Sequence, residues 1–198
     1  MVDFRHFSTC CCGHFSQQIS FEKRLSGCPT AAKCLTSVDG TDFRTQEKHP
    51  FDKGLYSHKF NSAGLRYEIA VGIYNGYIVW VNGPFPAGEW PDSRIVQHAF
   101  IGYLCSDEIF LADRGYRGVP YAITPGGHPP QLERLISKLR ARHETVNRKM
   151  KEYRCLGDLC RHTPEQHGTL FYAVANLVQL RIETSDANWH VDIDIPFY

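Results

Sequence analysis

The chain has 198 residues, a formal net charge of +1, 42% hydrophobic residues and 22% charged ones. That length suits one domain with a sizeable core, and the composition excludes a disordered chain, a coiled coil and a fibre. A net charge near zero excludes overall basicity as a route to nucleic acid, so such contact has to use a local patch.

The N-terminal stretch MVDFRHFSTCCCGHF lacks the apolar core of a signal peptide. Eight cysteines are too few for a disulfide scaffold, and reduced thiols in an intracellular protein are expected. No run approaches ~18 apolar residues, so no membrane span is expected.

Residues 1–33 show no helical or strand period and read as an irregular or disordered extension, with the domain proper over 34–198. CLTSVDGTDF reads as a strand that gives way to a loop at its Asp-Gly pair. GLRYEIAVGIYNGYIVWVNGPF predicts a hairpin about Asn75-Gly76. PDSRIVQHAFIGYL spaces Ile95, Val96, Phe100, Ile101 and Leu104 as a helix behind a Pro-Asp start. EIFLADRGY reads as a buried strand and PYAITPGGHPP as a turn-rich connection. A long helix is predicted from about Gln131 to Tyr153, with Leu132, Leu135, Leu139, His143, Val146, Met150 and Tyr153 inward. A last helix is predicted from about Pro164 to Glu183, with Leu170, Phe171, Val174, Leu177, Val178 and Ile182 inward. The tail WHVDIDIPFY alternates like an edge strand. Hairpin-linked and helix-linked strands together predict an α/β fold with a mixed sheet flanked by helices.

Three acids occupy special places in this plan. Asp39 falls at the end of the first strand, Asp113 at the end of FLAD, and Glu144 midway along the long helix. Carboxylates from two strand ends and a covering helix can converge on one point, and their oxygens suit hard cations such as Mg²⁺. Each also has a plain reading: Asp39-Gly40 and Asp113-Arg114-Gly115 as turns, and Glu144 as a surface partner of Arg140 or Arg148. The long helix is rich in Lys and Arg, and Arg140, Arg148 and Lys151 fall on the side that carries Glu144. Such a face suits a phosphate backbone, with Arg114, Arg117, Lys53, His58 and Lys59 as further candidates; a solvated helix surface is the alternative.

From about Ser37 to Glu183 the chain resembles the DDE-superfamily endonuclease domain of transposases, especially the PIF/Harbinger-like and related insertion-sequence families. SVDGTDF, GPFPAGEWPDS, FLADRGYRG, RARHETVNRKMKEYRCL and the helix FYAVANLVQL carry the likeness. The resemblance implies an RNase H-like fold and cutting, with rejoining, of DNA strands by two Mg²⁺ or Mn²⁺ ions. It assigns Asp39, Asp113 and Glu144 as catalytic acids and metal ligands. Asp92, in GEWPDS, matches a further acid of the family, against a plain reading as a helix N-cap. Asp42 is the weaker choice of first acid, because on a strand it faces away from Asp39. DNA contact is expected from Arg114, Arg140, Arg148 and Lys151, and nuclear residence follows from the family. Members usually carry a helical DNA-binding segment before the first acid. Only 38 residues precede Asp39 here, so an N-terminally truncated chain is expected, working with a separate DNA-binding partner or as a homo-oligomer.

Two other readings stand beside this one. Cys155, Cys160, His162 and His167 have the ligand types of a structural zinc site, although the spacing is unlike a familiar finger. A catalytically silent, transposase-derived DNA-binding or interaction protein is the second.

Overall fold

Residues 18–30 and 32–184 are described by the computed structural model. Among them, β1 (Cys34–Arg44), β2 (Tyr56–Ser57), β3 (Ser62–Gly72), β4 (Ile78–Pro86), β5 (Ile109–Leu111) and β6 (Ala122–Ile123) form one sheet. Its order is β2-β3-β1-β5-β6, with β4 also paired to β3. β1 runs antiparallel to β3 and parallel to β5, and β5 runs parallel to β6. The helices are α1 (Asp92–His98), α2 (Pro130–Lys151), α3 (Arg154–Gly157) and α4 (Pro164–Thr184). This is a mixed α/β sheet flanked by helices, as an RNase H-like domain requires.

The two sheet faces bury different helices. On one, Val38, Ala70 and Val79 pack with Val96 of α1 and with Phe100, Phe110 and Tyr116. On the other, Phe43, Ile69 and Val71 meet Val146 and Met150 of α2 and Phe171, Val174 and Val178 of α4. The β3–β4 hairpin turns at Asn75-Gly76, where Gly76 takes φ 74°. There Asn75 Oδ1 accepts from the Tyr77 N–H at 3.0 Å, which holds the turn.

Several expectations need correction. β1 does not stop at Asp39-Gly40 but pairs with β3 through Arg44, with Gly40 opposite Glu68. Gly40 serves the fold by leaving space, since a Cβ there would overlap the Asp92 carboxylate. The turn-rich stretch before α2 contains β6, whose pairing with β5 extends the sheet. The helix from Asp92 ends at His98; Ala99 (φ −135°, ψ −57°) breaks it, and a 3₁₀ turn at Phe100–Tyr103 follows. The break drives Phe100 into the core against Trp80 and Phe110. In α4, Leu177 is 47% exposed, while its predicted companions Phe171, Val174, Val178 and Ile182 are buried.

Residues 18–30 are also better anchored than their composition suggests. A 3₁₀ turn at Phe21–Leu25 sets Phe21 edge-on to Trp80 and Phe100. The Arg24 Nε donates to Glu108 Oε1 at 2.9 Å within the protein, both side chains being almost fully buried. The Gln18 N–H donates to Asn176 Oδ1 of α4 at 2.9 Å. Burial of a paired charge and an aromatic ring compensates for the lack of periodicity. Cys10 to Cys12 and the tail WHVDIDIPFY lie outside the described residues.

Candidate active site

β1 and β5 bring the first two acids level. In their parallel register Ser37 pairs with Leu111, so two residues further on Asp39 and Asp113 stand side by side. Asp113 has just left β5, and its Oδ1 accepts from the Gly115 N–H at 2.7 Å, opening the 3₁₀ turn Arg114–Tyr116. The turn reading of Asp113 is therefore correct locally, and it leaves the carboxylate at the strand's end. The third acid arrives from α2. Asp39, Asp113 and Glu144 all line one cavity of about 30 Å³, together with Ser37, Arg140 and His143.

The electrostatics of this cavity are marked at Asp39. Burial, then the charges of Asp113 and Asp92, push the Asp39 carboxyl up to about 6. Like charges held close in a partly dry site disfavour one another's ionisation, and a cation placed among them reverses that penalty. Asp39 Oδ2 accepts a hydrogen bond of 3.1 Å from Asn147 Nδ2, one helical turn beyond Glu144. Beneath them His143 is buried, with Nδ1 3.2 Å from Ser37 Oγ. Burial, followed by the neighbouring Arg142 and Arg140 charges, pushes its imidazole down to about 3, so it stays neutral.

Asp42 and Asp92 belong to the opposite face of β1. Arg66 clamps Asp42 through Nε and Nη2 at 2.7 and 3.0 Å, and Ser57 Oγ donates to it at 2.6 Å. Burial works to raise the Asp42 carboxyl, but these donors outweigh it and hold the group below its usual range. The Asp42 carboxylate is committed to a guanidinium fork and to the Ser57 hydroxyl. Asp92 is not the N-cap of α1: that position is Pro91, and Asp92 is the first helical residue. Its side chain turns toward Gly40, with Oδ1 3.5 Å from Arg66 Nε. Burial first, offset by Arg66 and reinforced by Asp42 and Asp113, raises its carboxyl. Asp92 is thus in electrostatic reach of Asp39 and Asp113 from across the strand.

The basic residues divide. Arg140 is exposed at the cavity and Arg148 is exposed further along α2. Arg114 is exposed next to Asp113. Lys151 is half-buried, with Nζ 5.3 Å from the Phe43 ring centroid. Arg142, also on α2, is buried and donates from Nη2 to the carbonyls of Gly72 and Ile73 at 2.8 and 2.6 Å. It caps the end of β3 rather than facing solvent.

The Cys/His set does not come together. Tyr67 Oη and His167 Nδ1 are 2.7 Å apart in the core, whereas Cys155 and His162 are exposed. Among the described residues no three His, Cys, Asp or Glu side chains are gathered closely enough to hold a metal ion, and this includes the acid trio. Asn147 was missed by motif reading. Its position three residues after Glu144 was the available signal, because that spacing shares a helix face.

Among the described residues no helix is long and apolar enough to cross a membrane. No curated protein matches the chain. The family model described as DDE superfamily endonuclease matches residues 38–179, a stretch that runs from the start of the acid motif in β1 into α4. With most of its length matched, and with Asp39, Asp113 and Glu144 inside the match, the chain belongs to the DDE superfamily of endonucleases.

Proposed function

We propose that the chain is a metal-dependent DNA endonuclease of transposase type, with Asp39, Asp113 and Glu144 as its catalytic acids. The observation that supports this best is the shared cavity in which Asp39 is pushed up to about 6 by burial and by Asp113 and Asp92. The donors are carboxylate oxygens, which suit Mg²⁺ or Mn²⁺, and the repulsion that Asp113 exerts on Asp39 is what a divalent ion relieves. The set fits the ions in chemistry, and binding has to draw the three carboxylates closer than they stand.

A pair of such ions supplies an activated water or 3′-hydroxyl and offsets charge on the departing oxygen. The protein's own part is to hold and orient. Asp39 and Asp113 present oxygens from neighbouring strands, and Glu144 presents its own from α2. Asn147 fixes the rotation of the Asp39 carboxylate through its amide. Neutral His143 and Ser37 close the floor without adding charge. Arg140, Arg148, Lys151 and Arg114 hold phosphates of the DNA, supplying the sequence-independent share of affinity. Target choice falls to a separate DNA-binding protein or a second copy of the chain, and the protein works in the nucleus.

The silent DNA-binding alternative draws on one observation: the acids are not gathered. Titration of the protein with Mn²⁺, followed by electron paramagnetic resonance, separates the two. A nuclease binds Mn²⁺ saturably, and Asp39→Asn weakens binding by about tenfold or more. Equal binding by wild type and Asp39→Asn contradicts the proposal.

A further inference from the structure

A cavity of about 430 Å³ opens just beyond the end of β1, with Thr45 among its lining residues. Thr45 lies six residues past Asp39, about 20 Å along an extended chain, and no catalytic acid lines this cavity. It forms where two segments begin to pair and then part. Thr45 makes a single parallel bridge to Cys160: the Cys160 N–H donates to Arg44 O at 2.9 Å, and the Gln46 N–H donates to Cys160 O at 2.8 Å. The next rungs, from the His162 N–H to Gln46 O and from the Lys48 N–H to His162 O, are not made. Among the described residues these main-chain groups have no main-chain partner at all.

Residues 46–48 line one side of the opening and residues 161–163 the other, while the buried Leu55 and Leu65 supply an apolar floor. Thr45 is 8% exposed, and its Oγ1 is buried without a hydrogen-bond partner among the described residues. The start of α4, close by, does not call for an anion. The Thr163 N–H donates to Gln166 Oε1 at 3.2 Å and the Gln166 N–H to Thr163 Oγ1 at 3.3 Å, so that helix end is capped from within the chain. At the rim Lys48 and Arg161 are matched by Glu47 and Glu165, all of them exposed. A balanced rim, an apolar floor, a buried hydroxyl and unmade strand rungs together suit an uncharged extended peptide. Main-chain bonds give such a complex its affinity, and the pocket under one side chain gives its specificity.

We propose that this cavity binds an extended segment of a partner protein by strand addition, an uncharged stretch centred on a Leu, Ile or Val side chain. The partner's main chain supplies the missing rungs, its apolar side chain covers Leu55 and Leu65, and Thr45 Oγ1 donates to one of its carbonyls. The site stands without the nuclease reading, because it uses none of the catalytic acids.

The test titrates the full ¹⁵N-labelled chain with the peptide acetyl-Thr-Thr-Leu-Thr-Thr-amide and follows amide shifts. Saturable shifts are expected at residues 45–48 and 161–163, with a Kd of about 1 mM or tighter. The same peptide with Asp in place of Leu is expected to give none. Methylating the amide nitrogens of the two Thr residues that flank Leu keeps its side chain and removes main-chain donors, and is expected to weaken binding about tenfold. Thr45→Val keeps the shape of the site and is expected to weaken the peptide about three- to tenfold, with a melting temperature unchanged or raised. Absence of shifts at these residues, equal binding of the Asp peptide, or unchanged affinity in Thr45→Val overturns the proposal. Undiminished binding of the methylated peptide also overturns it, and marks the cavity as a site for small apolar molecules instead.

Discussion

Asn147 Nδ2 donates to Asp39 Oδ2 at 3.1 Å, tying the long helix to the central strand at its first acid. The bond crosses from α2 to β1 and lies one turn from Glu144, so helix position and carboxylate rotation are set together. Asn147→Ala is expected to fold, to lose about 1 kcal/mol of stability, and to bind Mn²⁺ about 10-fold more weakly. Thermal melts and Mn²⁺ titration measure the two effects; unchanged metal affinity contradicts the positioning role.

Gly40 and Asp92 are complementary across β1, because a methyl on Gly40 overlaps the Asp92 carboxylate. Gly40→Ala is expected to cost about 1–3 kcal/mol by overpacking. In the Gly40→Ala/Asp92→Ala double variant most of that cost is expected to vanish, giving a coupling of about 1 kcal/mol or more in denaturant melts. Additive costs contradict the contact.

Glu68 contributes a pH dependence to the stability. Burial first, aided by the Asp92 charge and opposed by the Trp80 indole at 2.9 Å, pushes its carboxyl up to about 8. A group raised in the folded state contributes stability that is complete below its unfolded value and is lost as pH rises through the folded one. The melting temperature is therefore expected to fall as pH rises from the ordinary value of 4.5 to about 8, and to level off above that. Glu68→Gln keeps an acceptor for Trp80 and is expected to flatten that fall. An equal slope in the variant contradicts the assignment.

Arg142 and Arg140 stand two residues apart on α2 and are expected to fail differently. Arg142 is buried on the Gly72 and Ile73 carbonyls, so Arg142→Met is expected to cost about 2–4 kcal/mol in denaturant melts. Arg140→Ala is expected to change stability by less than about 0.5 kcal/mol and to make the salt dependence of duplex binding shallower. The reverse pattern contradicts the division of the basic helix into structural and phosphate-facing residues.

What could be read from the chain was whatever local chemistry determines. The Asn75-Gly76 hairpin, the inward stripe of α2 including His143, and the order of the acids all follow from spacing within one element. Gly40 could not be read correctly. Asp-Gly is a turn pair by local preference, and only the distant Asp92 and the pairing to β3 show that its use here is space within a strand. Asp92 resembled an N-cap for the same reason: the strand it faces lies far away in sequence. The anchoring of residues 18–30 depends on Glu108, Trp80 and Asn176, none of them near in the chain. Cys155, Cys160, His162 and His167 have the residue types of ligands but not their directions, since His167 turns inward to Tyr67. The burial of Arg142 against main-chain carbonyls leaves no mark on composition, so the Lys and Arg content of the helix does not show it.

The central claim is that Asp39, Asp113 and Glu144 act together in metal-dependent cleavage of DNA. Its most direct measurement is nicking of supercoiled plasmid in Mg²⁺ or Mn²⁺ by wild type and by Glu144→Gln, an exposed substitution that leaves the helix intact. The account predicts metal-dependent nicking by the wild type and a loss of about 100-fold or more in the variant, with an unchanged melting temperature. Nicking undiminished in Glu144→Gln would contradict it.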